Sequence, residues 1–173
     1  MPVYAGKFYL EKLTEAVAAV RQAWEDACYL IHLAELIFVD DGSSDGSCDV
    51  LKQLDTQDWI KVITLSRNYG QHPATVAGIS YSSGDWVVTL DEDLQHDPKH
   101  ILDMLKLCVE HDADIVYAKP KEWVHKLAFR GLSSRCAKAL VSYMTNNPNT
   151  RHFNSFRLMR GTIARTAASI SSH

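Results

Sequence analysis

The chain has 173 residues, with 18 Lys and Arg against 21 Asp and Glu, and 46% of it is apolar. That length supports one domain with a real hydrophobic core. The charge balance argues against a general nucleic-acid binder. No apolar run approaches the roughly 20 residues that span a bilayer, and Met1-Pro2-Val3-Tyr4 is no signal peptide, so membrane contact through these residues would be peripheral. Cys28, Cys48, Cys108 and Cys136 lie far apart with no Cys-x-x-Cys pair. They read as reduced, mostly buried thiols in a cytosolic setting.

Taken in order, Met1 to Tyr4 reads as the end of a strand. Leu10, Leu13, Val17, Val20 and Trp24 recur at helical spacing and predict a helix over 10–27. Ala34 to Val39 predicts a strand, followed by a turn-rich loop, Asp40 to Ser47, and a short helix over 48–54. Trp59 to Leu65 is the third strand. Pro73 to Ser82 is a helix with a small-residue face at Ala74, Ala77 and Gly78. Trp86 to Leu90 is a brief, β-branched strand opened by Gly84-Asp85. Asp97-Pro98 supplies an N-cap and a first-turn proline for a helix over 98–110, with Ile101, Leu102, Leu105, Cys108 and Val109 facing inward. Asp114 to Ala118 is a further strand. The alternation predicts an α/β fold with a mostly parallel sheet flanked by helices.

Beyond Ala118, Lys119, Lys121, Lys126, Arg130, Arg135 and Lys138 face only Glu122, a local net charge of +5. Trp123 to Met144 reads as one amphipathic helix. Phe129, Leu132, Cys136, Leu140 and Tyr143 form its apolar stripe, and Lys126, Arg130, Ser134 and Lys138 share another face. That face is either ordinary solvated surface or a site for phosphate or an anionic membrane. Phe153 to Met159 is a last strand, and the tail from Gly161 has too few large apolar residues to pack firmly. One domain, 1–173, is expected, with residues 1–118 and 119–173 as its two parts.

The chemistry concentrates in Asp91, Glu92 and Asp93, with Gln95 two positions on. Carboxylates crowded at the end of a buried strand either point into water or are neutralised by a cation. A hard ion such as Mg²⁺ or Mn²⁺ takes oxygen ligands of this sort and shares them with substrate phosphates. Ligands of open α/β sheets sit at strand carboxyl ends. The acidic loops after Val39 and after Leu90 both fall there and are expected to open on the same side. Asp41-x-Ser43-x-Asp45-Gly46 starts like a calcium loop of the EF-hand type but has Lys52 where the twelfth-position Glu belongs. His96 and His100 are separated by the helix start at Asp97-Pro98, against a preformed zinc pair. No Gly-x-Ser-x-Gly, Walker or His-Glu-x-x-His motif occurs.

Three ordered stretches, Val39-Asp40-Asp41-Gly42-Ser43-Ser44-Asp45, Arg67-Asn68-Tyr69-Gly70-Gln71 and Leu90-Asp91-Glu92-Asp93-Leu94-Gln95, resemble the successive nucleotide-sugar motifs of family 2 glycosyltransferases, which have the GT-A fold, a Rossmann-like sheet. Pro2-Val3-Tyr4 resembles the end of that family's first strand. The acidic-Leu-Gln form and Phe153 to Arg160 are similar to the branch that glycosylates polyprenyl phosphates, which includes dolichol-phosphate mannose synthase and bactoprenol glucosyltransferases. The resemblance implies an inverting transfer of sugar from a UDP- or GDP-sugar to a polyprenyl (undecaprenyl or dolichyl) phosphate, at the cytoplasmic face of a membrane.

Residue by residue, it implies that Asp40 contacts the base or ribose, with Pro2 and Tyr4 lining the same pocket and Asp41, Asp91 and Glu92 on the donor side. Asp91, Asp93 and Gln95 would hold Mg²⁺ or Mn²⁺ against the diphosphate, making Asp91 and Asp93 the catalytic pair. Arg130 and Ser134 would grip the acceptor phosphate, with Arg157 and Arg160 adding positive charge. A phosphate acceptor is already largely an anion and needs orientation more than a general base. An alcohol acceptor would need such a base, which keeps two alternatives open: a transferase extending a saccharide, and a non-catalytic domain that only binds nucleotide sugar.

Three departures accompany the resemblance. The apolar run before Pro2 is nearly absent, which is expected to leave unpaired backbone and an open core. Ala5-Gly6 stands where the family commonly has Asn-Glu. The domain is expected to be truncated at both ends, the family often continuing into membrane helices.

Overall fold

A computed structural model describes residues 1–118 and 155–171. Its elements are β1 (Pro2–Val3), α1 (Leu10–Asp26), β2 (Leu36–Asp40), α2 (Ser47–Leu54), β3 (Ile60–Thr64), α3 (Gln71–Ser80), β4 (Trp86–Thr89), a 3₁₀ turn (Pro98–His100) leading into α4 (Ile101–Glu110), β5 (Ile115–Tyr117), β6 (Arg157–Arg160) and α5 (Gly161–Ser171). The basic helix expected over 123–144, with Arg130 and Ser134, lies outside the described residues.

β1, β2 and β3 form a parallel sheet in that order, in the register Pro2–Val39 and Leu36–Ile60. β6 lies between β4 and β5 and is antiparallel to both, with Trp86 opposite Arg160 and Ile115 opposite Met159. Helix α1 buries the whole expected stripe, Leu10, Leu13, Val17, Val20 and Trp24. Each such side chain contributes roughly 1.5–3 kcal/mol when fully buried. The stripe packs with Phe38, Leu51, Ile101, Met104, Phe156 and Leu158 into the main core. At the 3₁₀ turn, Asp97 accepts the Lys99 N–H at 3.0 Å and Pro98 sits at the first position, as the sequence predicts.

The structure corrects several expectations. In α4, Val109 is exposed and Met104 is buried in its place, because the buried positions Ile101, Met104 and Cys108 follow a narrower stripe. Cys28 is exposed, while Cys108 is buried. The tail does pack. Helix α5 turns Gly161, Ala164 and Ala168 inward, and the two alanines join Ile79, Val87 and Met159 in a second core cluster. A helix can come close by using small side chains, without large ones. Gly161 donates its N–H to the Asp85 carbonyl at 2.6 Å, so the helix starts against the turn before β4.

Only Pro2 and Val3 pair with β2, and an apolar cavity of about 470 Å³ opens between β2 and β4.

Candidate active site

A second cavity, of about 330 Å³, lies at the carboxyl ends of the strands. This is within the range of small-molecule sites. Pro2, Val3 and Tyr4 line it from β1, Asp41 from the loop after β2, Asn68, Gly70 and Gln71 from the loop after β3, and Asp91, Glu92 and Asp93 from the loop after β4. The two acidic loops do open together.

Local geometry explains how each carboxylate is held. Asp41 is 2% exposed. It accepts the Tyr69 N–H at 2.7 Å on one oxygen and the Gly70 N–H at 2.8 Å on the other. It therefore ties the loop after β2 to the start of α3. Gly42 permits this approach: its φ is +71°, and a Cβ there would stand 2.8 Å from the Arg67–Asn68 backbone. Asp40 is equally buried, but it turns away from the cavity and accepts the Ser43 N–H at 3.0 Å. The structure thus makes Asp40 a turn former and puts Asp41 on the wall.

Asp91 accepts a hydrogen bond from Gln71 Nε2 at 2.6 Å and another from the Ser155 hydroxyl. Asp93 is exposed and accepts the Gln95 N–H at 3.1 Å. Gln95 is itself exposed and does not line the cavity. Among the described residues no three His, Cys, Asp or Glu side chains converge as a finished metal site would. Glu92 leans back over β1, where Tyr4 donates its N–H to Glu92 Oε2 at 3.0 Å. Gly6 makes the seat for this carboxylate, since a Cβ on Gly6 would fall 2.2 Å from Oε2. Burial raises the Glu92 carboxyl to about 7. The Asp45, Asp93 and Asp91 charges push the same way, and the Tyr4 N–H pushes against them.

The two arginines of β6 part company. Arg157 is level with Thr89, at the cavity end of β4, and its Nε is buried with no hydrogen-bond partner. Arg160 is level with Trp86, at the other end of the strand. It pairs with Asp114 at 2.6 Å and Asp112 at 3.7 Å and covers the Trp86 ring. Its charge is committed there, away from the carboxylate cavity. The sequence reading gave no role to Gln71, Ser155 or Gly6. Gln71 was visible as the end of the Asn-Tyr-Gly-Gln stretch, but the partner of each of the other two is more than 60 residues distant. His96, set aside as a metal ligand, stacks on Phe156 with ring centroids 5.1 Å apart.

A sheet that gathers carboxylates, a glutamine and backbone donors at its strand carboxyl ends is the architecture of an α/β domain that binds a polar small molecule. The model of "Glycosyl transferase family 2" matches residues 1–167, and the chain belongs to that family. A protein of Yersinia pestis (strain Pestoides F), named undecaprenyl-phosphate 4-deoxy-4-formamido-L-arabinose transferase, is 41% identical over 148 residues, covering 84% of this chain and 42% of the relative. Proteins of the same name from Sodalis glossinidius (38% identical over 152 residues) and Photorhabdus laumondii (36% over 148) each match 84% of this chain and 43% of their own length. The chain therefore spans under half the length of these relatives.

Among solved structures, S. aureus TarS 1-349 in complex with UDP superimposes with a TM-score of 0.63 at 17% identity, over 96% of this chain and 47% of that one. Its complex with UDP-GlcNAc gives 0.59 at 19% identity, over 96% and 45%. The fold is GT-A. Among the described residues no helix is long and apolar enough to cross a membrane.

Proposed function

We propose that the carboxylate cavity binds a nucleoside-diphosphate sugar, and that the protein to which these residues belong transfers the sugar to a polyprenyl phosphate with inversion. The observation that carries this reading is the convergence of Asp41, Asp91, Glu92 and Asp93 from two loops about 50 residues apart in one cavity at the strand ends. The names of the relatives support the acceptor class, and the UDP and UDP-GlcNAc complexes of the TarS neighbour support the donor class.

Asp91 and Asp93 offer hard oxygen donors that fit Mg²⁺ or Mn²⁺. The groups now hydrogen-bonded to Asp91, Gln71 and Ser155, are neutral and can share it with a cation. Such an ion, when bound, offsets the charge that develops on the departing nucleoside diphosphate. Gln95 would need to turn inward to join. The polarity of the cavity orders the donor along it. Glu92 is taken up by the Tyr4 N–H, so the Tyr4–Glu92 end suits the ribose and base, while the end with Asp91 and Asp93, which would hold the cation, suits the diphosphate. Arg157, level with Thr89 toward the carboxyl end of β4, would meet the acceptor phosphate. An acceptor monoester is already an anion, and the reaction asks these residues for orientation more than for a base. A lipid-borne acceptor sets the reaction at the cytoplasmic face of a membrane, with the protein peripheral to it.

The test is transfer of labelled sugar from UDP-glucose or GDP-mannose to undecaprenyl phosphate in vesicles. The protein should transfer label to lipid, and its Arg157→Ala variant should lose at least tenfold while keeping donor binding. Label on a saccharide acceptor with none on lipid would overturn the acceptor assignment.

A further inference from the structure

Among the described residues, Asp91 differs from the other carboxylates of the polar cavity in how it is held. Each of its oxygens receives a hydrogen bond from a neutral side chain. Gln71 Nε2 donates to Oδ1 at 2.6 Å, and the Ser155 hydroxyl donates to Oδ2. Asp41, Glu92 and Asp93 accept from backbone N–H groups instead. The two donors to Asp91 come from opposite sides of the fold. Gln71 opens α3, which follows β3 of the parallel sheet, and Ser155 stands two residues before Arg157, the start of β6 in the antiparallel sheet.

Both donors are themselves fixed. Asp41 takes the N–H groups of Tyr69 and Gly70, the two residues before Gln71, and the Thr75 hydroxyl donates to the Gln71 carbonyl at 2.8 Å. On the other side, the Thr89 hydroxyl donates to the Ser155 carbonyl. The next residue, Phe156, is buried in the main core, and its carbonyl accepts the Ala118 N–H at 3.0 Å. His96 stacks on the Phe156 ring, so the loop after β4 meets this segment twice, at Asp91 and at His96.

A carboxylate has roughly four lone-pair sites. Gln71 and Ser155 take one on each oxygen and leave one on each for a cation. They also fix the carboxylate plane, so a cation does not have to order it. Their neutrality matters. A Lys or Arg in either place would hold Asp91 equally well but would set a positive charge beside the cation.

We propose that Gln71 and Ser155 are positioning residues of the donor site: they hold the Asp91 carboxylate in the orientation that receives the cation, and Ser155 sets that carboxylate in a fixed relation to β6, the strand that carries Arg157. The proposal rests on the donor reading given above. Both residues act through Asp91. Two residues of one packed segment, Ser155 and Arg157, thereby tie the donor loop to the strand assigned to the acceptor phosphate.

The test is Mn²⁺ binding to the 173-residue chain in the presence of UDP and, separately, of GDP, followed by the electron paramagnetic resonance of free Mn²⁺. Ser155→Ala and Gln71→Ala should each weaken Mn²⁺ binding at least tenfold, as loss of a partner that orients a metal ligand does. Ser155→Thr, which keeps the hydroxyl, should stay within threefold of the parent. Gln71 is exposed, so its variant probes the same carboxylate without disturbing the core. Melting of the metal-free chains gives a second readout. Ser155→Ala should lower the melting temperature by at least about 3 °C, and by less than half of that in an Asp91→Ala background. Parent-like Mn²⁺ affinity in either alanine variant, Ser155→Thr as weak as Ser155→Ala, or the same melting loss with and without Asp91 would overturn the proposal and leave the donor reading standing. A folded parent that binds no Mn²⁺ with either nucleotide would overturn both.

Discussion

The two cavities meet different parts of the same short segment, Met1 lining the one between β2 and β4 and Pro2 to Tyr4 the one at the strand ends, and they are opposites in character. The pocket at the strand carboxyl ends is built from side chains that hydrogen-bond to backbone, as Asp41 does to Tyr69 and Gly70 and Glu92 to Tyr4. The cavity between β2 and β4 is lined mostly by apolar side chains, among them Val17, Trp24, Ile101 and Leu105. Strand ends expose loops, which tolerate charge. The difference teaches where function and folding separate in this molecule: the polar pocket is suited to a ligand, and the apolar cavity borders the main core.

The largest expected effect falls on the pocket's anchor. Asp41→Ala leaves two backbone donors without their acceptor, at about 1–3 kcal/mol each, so urea melts should show a loss of about 2–5 kcal/mol. A loss below 1 kcal/mol would mean that the loops after β2 and β3 hold together without it.

Acid and base titration should separate the two cavities, because burial moves their groups in opposite directions. The folded Met1 amine, at about 5 against 8.0 for an ordinary terminus, contributes stability that is full above pH 8. It is lost as the pH falls through about 5, by up to about 4 kcal/mol. The folded Glu92 carboxyl, at about 7 against 4.5, has the reverse sign. Its contribution is full below pH 4.5 and is lost as the pH rises through about 7. On the metal-free chain, acetylating Met1 should leave only the second slope, and Glu92→Gln only the first. The same slope in both variants would contradict the assignment.

A smaller effect is expected at the seat of Glu92. Gly6→Ala should displace the Glu92 carboxylate and cost about 1 kcal/mol, near the value of one hydrogen bond. The same change in a Glu92→Ala background should cost almost nothing. A carboxyl-carbon NMR titration should show Glu92 returning toward 4.5 in Gly6→Ala. The smallest effect on stability belongs to Asp93→Ala, within about 0.5 kcal/mol because the side chain is exposed.

Much of the frame was legible in the sequence. The stripe of α1, the β-branched runs of β2, β3 and β4, and the Asp97-Pro98 helix start follow local rules of spacing and capping, and the structure places each within a few residues. The joint opening of the acidic loops also followed from strand direction. Helix α5 was missed because it packs through Ala164 and Ala168, and small residues carry no hydrophobic signal. Arg160 was misread because composition shows a charge without its partner, here Asp114, 46 residues away. Glu92 on Gly6 and Ser155 on Asp91 are contacts between distant segments, which periodicity cannot express. Asp40 and Asp41 could not be told apart in sequence. Only the strand's alternation, read in three dimensions, turns one into the turn and the other to the wall.

The most direct measurement is calorimetric titration of the chain with UDP-glucose and with GDP-mannose, each with and without Mn²⁺, repeated on Asp93→Ala. The account predicts metal-dependent binding of one donor by the parent and loss of that binding in the variant, with its melting temperature unchanged. Equal binding by parent and variant, or no binding by a parent shown to be folded, would contradict the claim that this pocket is a donor site.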